Sequence, residues 1–303
     1  MTTYTGELAA LLTAFLWAFT AIFFTSASKR IGSFIVNMIR IPMALIIIAT
    51  TLAFTTGRLF PHVDSSGQIY WLVASGIVGL VLGDTFLFRS FIILGPRLGS
   101  LIFASWPIMT AVISWFFLTE ILSPTAIAGI AIASAGIVWV TNERKTEWQT
   151  EMVSADEGSK KLGVIYALLG AIGQSSGLVM AKYAMGETLE PLEASYVRMI
   201  AACIAIWIYG GLAGHLPAVV SAMRRGKAMM YALGGSISGP FLGIWMSLVA
   251  VKHAETGVAA AIMASVPMVI IPVTIFVYRQ KPSGRAMAGA IVTAAGIALL
   301  FMR

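Results

Sequence analysis

The chain has 303 residues, of which 58% are hydrophobic and only 11% charged, whereas a soluble protein carries roughly 25% charged residues. So few charges cannot dress a soluble surface, and most of the exterior must face lipid. The net charge of +7 does not mark a nucleic-acid binder, because the basic residues lie in short breaks between apolar runs and form no contiguous patch.

A spanning helix needs about 20 largely apolar residues, and ten such segments follow one another. The first, 7–27, comes after a start without basic residues and runs on past signal-peptide length, so no cleavable signal is expected. It carries Trp17 near its middle. The break SKRIG (28–32) leads into 33–56, which holds Arg40 about a third of the way in, and Pro42. GRLFPHVDSSG (57–67) precedes 68–92, with Asp84 and Arg89. LGPRLG (94–99) turns the chain into 97–119, where Trp106 stands before the helix breaker Pro107. EILSP (120–124) opens 124–141. The longest polar stretch, NERKTEWQTEMVSADEGSKK (142–161), then divides the chain near its midpoint and reads as a linker. Beyond it come 162–184 with Gln174, Ser175 and Ser176, 191–212 with Arg198, and 228–251 with Trp245. The last two are 256–278 with Pro267 and Pro272, and, after RQKPSG, 284–302. These runs lack the alternation of a membrane barrel strand. Cys203 is the only cysteine, which rules out an internal disulfide, and it reads as a packing residue.

Shifted by 160 residues, the chain matches itself without gaps through three helices. Gly79, Leu82 and Gly83 fall on Gly239, Leu242 and Gly243, and Ser105 and Pro107 fall on Ser265 and Pro267. Gly129 and Gly136 fall on Gly289 and Gly296. Earlier, Trp17 comes opposite Gln174, and Arg40 near Arg198, with a small loop adjustment. The sequence therefore predicts an all-α membrane protein of ten transmembrane helices, arranged as two inverted five-helix repeats around a central cavity. Residues 1–141 form the first repeat, 142–161 the cytoplasmic linker and 162–303 the second. Five is odd, so the second half enters the membrane from the opposite side, and such repeats place a substrate site near the midplane. Lysines and arginines crowd one side of the breaks, from Lys29 and Arg30 to Arg285, while the other side has only Arg58, Lys182, Lys252 and Arg303. The positive-inside rule makes the richer side cytoplasmic and turns both termini outward, to the periplasm in a Gram-negative inner membrane.

Polar groups within the runs are the candidates for function, because ionisable side chains in a bilayer are costly and face a cavity or a partner. Arg40 and Arg198 either snorkel to headgroups or form a symmetric pair of gate or carboxylate-attracting residues. Asp84 and Arg89 are five residues apart, a poor same-face spacing. Asp84 either makes a structural hydrogen bond or stands at the cavity edge. Gln174, Ser175 and Ser176 bind substrate or bond neighbouring helices. Trp17, Trp106 and Trp245 lie away from the span ends, where tryptophan is an interface anchor, which leaves packing or cavity lining. Pro107 and Pro267 are matched kink positions. No P-loop is present, His62, His215 and His253 are scattered, and no catalytic cluster is legible, so no enzyme activity, cofactor or metal is expected. The expected partners are a small-molecule substrate and the bilayer, with no nucleic acid; a monomer is compatible with the repeat, and the oligomeric state is left open.

With this helix count, repeat and Gly/Pro pattern, the chain resembles the drug/metabolite transporter superfamily, EamA type, over essentially its whole length. GPRLGSLIFASWPIMTAVISWFFLTEILSPTAIAGIAIASAGIVWV (95–140) and HAETGVAAAIMASVPMVIIPVTIFVYRQKPSGRAMAGAIVTAAGIAL (253–299) are the stretches that carry the likeness. The acidic residue that ends the fourth helix of each half in that family is matched by Glu120, whereas Gln280 replaces it in the second half. The resemblance implies a basket-like bundle with alternating access, and export of amino acids or similar small metabolites. Within the superfamily the chain is similar overall to YddG-type exporters of aromatic amino acids; drug and nucleotide-sugar transporters share the fold, and a membrane-embedded enzyme is a further alternative. Small multidrug pumps of the superfamily couple to protons through a mid-membrane glutamate in the first helix. Here that stretch reads FLWAFT (15–20), with Glu7 at the very start, which leaves facilitated export open.

Overall fold

A computed structural model of the protein describes residues 4–141, 157–276 and 283–302, and these are helical with no strand among them. The first five spans are α1 (Thr5–Ile31), α2 (Ser33–Thr56), α3 (Ser66–Leu94), α4 (Leu98–Leu118) and α5 (Pro124–Thr141). The second half supplies α6 (Lys160–Met185), α7 (Pro191–Leu212), α8 (Gly226–His253), α9 in two pieces (Thr256–Met263 and Val266–Phe276) and α10 (Gly284–Phe301). Nine of these are long and apolar enough to cross a membrane, and α9 contributes a shorter apolar helix.

The spans fall where the hydropathy places them, and the ends differ for local reasons. Helix α1 runs through the charged residues of the first break to Ile31, and a single residue, Gly32 at φ +84, makes the turn into α2. Glycine adopts this conformation at no steric cost. A short helix, Leu216–Met223, which the sequence leaves as loop, opens with Pro217 in its first turn, where the missing N–H costs nothing. Residues 142–156 of the expected linker, and Gln280, lie outside the described residues; Glu157 to Lys161 already belong to the helix that becomes α6.

Each helix of one half packs on a helix of the other. The pairs are α1 with α8, α3 with α6, α2 with α7, α4 with α9, and α5 with α10. Contacts along α5 and α10 descend as the other ascends. Gly129 meets Leu300, Ala133 meets Gly296 and Gly136 meets Thr293. Helices equivalent by the repeat thus run antiparallel, and the two halves are inverted copies. Tyr4 and Phe301 touch at 5.8 Å between ring centroids, so both ends of the chain share one face, the terminal face. The opposite, basic face carries Lys29, Arg30, Lys160, Lys161, Arg224, Arg225, Lys227 and Arg285.

In lipid the apolar effect does not pull helices together, and small residues let backbones approach instead. The α3–α6 seam is built this way. A Cβ on Gly177 would stand 2.7 Å from the Gly79 Cα, and one on Gly173 would stand 2.9 Å from the Gly83 Cα. Both α3 and α8 widen into a π-helical stretch at equivalent places, Gly76–Gly83 and Ile237–Gly243. Such widened turns are frequent at functional sites. Helices α4 and α9 break at equivalent places too, at Ala104–Ser105 and Ala264–Ser265. There Ser105 Oγ donates to the Ile102 carbonyl, and Ser265 Oγ to that of Ile262, each at 2.7 Å. Pro107 and Pro267 are the second residues of the segments that restart after these breaks.

Candidate substrate site

The inverted pairing brings three of the candidate residues together at mid-span. Trp17 lies in the α1–α8 groove, where a Cβ on Gly243 would come within 2.6 Å of its indole Nε1. Only glycine leaves room for the ring. One turn further along the same groove, the Thr20 and Ser238 hydroxyls share a hydrogen bond of 2.9 Å. Trp106 is buried where α4 restarts, and its ring is 6.4 Å from that of Trp17 at 54°. Ser175 Oγ reaches across from α6 and donates to the Trp106 carbonyl at 2.8 Å. This ties the restart of α4 to the opposite half. Gln174, beside Ser175, sets its backbone N against Gly83, and its half-buried amide makes no hydrogen bond among the described residues.

The remaining candidates are distributed elsewhere. Trp245 stacks on Phe241 at 6.0 Å and packs into the core shared by α2, α7 and α8, apart from the Trp17–Trp106 pair. Ser176 faces a groove of about 340 Å³ on the flank, lined also by Trp71, Phe116, Phe117 and Tyr183. A larger groove of about 710 Å³ runs between α3 and α7 under residues 60–63, with an almost entirely aliphatic lining.

Both arginines are held within the bundle. Arg40 Nη2 pairs with Asp84 Oδ2 across α2 and α3, its Nε donates to Asn37 Oδ1, and its guanidinium lies 5.2 Å from the Phe24 ring centroid. Asp84 therefore has a cationic partner, and it is not Arg89, which donates to Tyr209 Oη at 3.3 Å and lies over Tyr166. Arg198 is buried, 4% exposed, with no hydrogen bond or ion pair among the described residues.

One polar cluster escaped composition and spacing. At the terminal face Lys182 Nζ pairs with Glu120 Oε1 at 2.6 Å and donates to the Ala254 carbonyl at 2.7 Å. Glu120 also accepts from the Thr256 backbone N and from Thr256 Oγ1, both at 2.8 Å. Lys252 pairs with Glu190 at 3.0 Å. Lys182 and Lys252 are two of the few basic residues on the sparse side, and each is held by a carboxylate there. That coincidence of rare lysines with acidic turn residues is the signal the sequence offers for the cluster.

The pattern of the EamA-like transporter family matches this chain twice, over residues 4–142 and 161–302. Those bounds coincide with the two inverted halves. No curated protein matches the chain. One solved crystal structure is similar over 99% of this chain and 98% of its own, with a TM-score of 0.77 at 15% identity, a likeness of fold.

Proposed function

The chain belongs to the EamA-like transporter family, and from that premise we propose that it is a secondary transporter exporting amino acids, aromatic ones among them, by alternating access. The observation that carries this reading is the convergence of Trp17, Trp106 and Ser175 at mid-span from both halves, with Gln174 beside Ser175. Tilted aromatic rings offer an aromatic side chain edge and face contacts, worth about 0.5–1.5 kcal/mol beyond the area they bury. The free Gln174 amide serves polar backbone groups. In this reading a cavity forms between these residues and opens to each face in turn as the cross-half pairs exchange equivalent conformations. The middle of α1 carries no acidic residue, which favours facilitated export over tight proton coupling. A nucleotide-sugar substrate would call for clustered cations at mid-span, where Arg40 is already tied to Asp84.

Purified protein in liposomes is expected to move a labelled aromatic or small neutral amino acid, with similar rates with and without a pH gradient. Trp17→Ala and Gln174→Ala are expected to slow this by about tenfold, the scale of one or two lost contacts, while still eluting as folded protein. No transport across an amino-acid panel would sink the reading; wild-type rates in both variants would move the site elsewhere.

In this reading the basic face is cytoplasmic, because thirteen basic residues crowd that side of the sequence, Lys29, Arg30, Arg97, Arg144, Lys145, Lys160, Lys161, Arg224, Arg225, Lys227, Arg279, Lys281 and Arg285. A reporter fused to the C-terminus should then signal from outside the inner membrane. Cytoplasmic signal would invert the assignment.

A further inference from the structure

We infer that Arg198 is the receptor for a carboxylate on the transported molecule, and that Arg40, its equivalent in the other half, is not. The inference rests on the transporter reading above and names the anionic group that the site recognises.

The repeat supplies the argument. Arg40 falls near Arg198 with a small loop adjustment, and the 160-residue shift that relates the halves sets Asp84 on Ile244. In the first half the arginine has its carboxylate, since Arg40 is paired with Asp84. In the second half, Ile244 begins the segment of α8 that packs against α7, and it offers Arg198 nothing. Arg198 is nonetheless the more deeply buried of the two. Among the described residues only Glu7 shares its standing as a buried charged side chain, and Arg198 Nε has no hydrogen-bond partner. A guanidinium does not shed its proton at any ordinary pH. A permanent cation held inside a membrane bundle without a counter-ion is expensive, and such residues mark substrate or ion pathways. The fold has kept the cation and left out the anion that the other half provides.

The place lies on the seam between the two halves, which is closed in this structure. The backbone of Arg198 packs on Gly76, and its Nη2 lies 3.6 Å from where a Cβ of Gly79 would stand. The guanidinium thus rests against the α3–α6 seam at a point where neither helix carries a side chain. Gly79 stands one helical turn from Gly83, and Gly83 touches Gln174. The same seam therefore leads from Arg198 to Gln174 and Ser175, and through Ser175 to Trp106. A carboxylate engaged by the two-pronged guanidinium would leave the rest of an amino acid within reach of the aromatic pair.

The test compares three ligands of one shape: phenylalanine, phenylalanine amide and 3-phenylpropionate, with binding measured on detergent-solubilised full-length protein. The wild type should bind both acids at least tenfold more tightly than the amide. Arg198→Gln should bring the acids down to the affinity of the amide. Ile244→Asp supplies the missing internal carboxylate and should abolish acid binding in a protein that melts no lower than the wild type. Ile244→Asn, similar in size and neutral, should keep the acid preference, and so separates a displaced ligand from a damaged helix. Equal binding of acid and amide by the wild type, including none of either, overturns the inference. So does a folded Arg198→Gln protein that still prefers the acids. Arg198-dependent binding of 3-phenylpropionate with no binding of phenylalanine would support the carboxylate site while refuting amino-acid export.

Discussion

Asp84→Ala should cost the protein about 3 kcal/mol or more. The Arg40–Asp84 pair sits within the span, with the side chains 14% and 22% exposed. Removing the carboxylate leaves the guanidinium with Asn37 Oδ1 and the face of Phe24. A neutral dipole and a ring quadrupole do not replace a counter-ion. A ring contact of this kind is worth about 0.5–2 kcal/mol, less than the cost of an uncompensated charge. Replacing both partners by apolar residues of similar volume, Arg40→Met with Asp84→Leu, should recover most of the loss, because the desolvation cost leaves with the charges. Thermal unfolding in detergent checks this. A double variant no more stable than Asp84→Ala would show that the pair does not act as a unit. If the double variant also transports at the wild-type rate, the pair is structural, as the assignment of the ligand to Arg198 requires.

How far the sequence reaches differs between fold and site, and the reason is the solvent. Span positions were legible because a bilayer demands about 20 apolar residues in a row, and the inversion was legible because the repeat has five helices. Which helix packs on which was not. A helix surrounded by lipid has no polar face to betray its core face, and α1 and α5 are apolar all round. The glycines of α3 and α8 could be read as repeat markers, at Gly79 and Gly239, but not as seams, since their partners Gly177 and Thr20 lie in other helices. At the site, Trp17 and Trp106 were singled out by depth alone, and their contact depends on a break in α4 that Ser175 secures from the far half. The partner of Asp84 is 44 residues away in sequence, so no helical spacing could reveal it. The poor spacing to Arg89 did exclude the wrong partner.

Glu120→Ala is expected to lower stability by about 3 kcal/mol and to loosen the terminal face. Three facts set that scale. The Glu120 carboxylate is 11% exposed and Lys182 24%, so water screens their 2.6 Å contact only in part. The same carboxylate receives the Thr256 N–H, one of the donors that a helix start leaves unsatisfied, and so caps α9 from another half of the protein. Hydrogen bonds to a charged group contribute about 1.5–3 kcal/mol each, and losing the acid also strands Lys182 against the Ala254 carbonyl. The neighbouring pair makes the contrast. Glu190 is 70% exposed in its contact with Lys252, so Glu190→Ala should cost no more than about 1 kcal/mol. The Glu120 cluster joins the α4–α5 turn of the first half to α6 and the α8–α9 turn of the second, and any movement of the halves that opens this face must separate it. Glu120→Ala should therefore speed amide hydrogen exchange at residues 254–258, whereas Glu190→Ala should leave it unchanged. Adding Lys182→Ala to Glu120→Ala should restore part of the stability but not protection, because the stranded charge is gone while the cap on α9 is still missing. Equal melting temperatures for Glu120→Ala and Glu190→Ala would reduce the cluster to an ordinary surface contact.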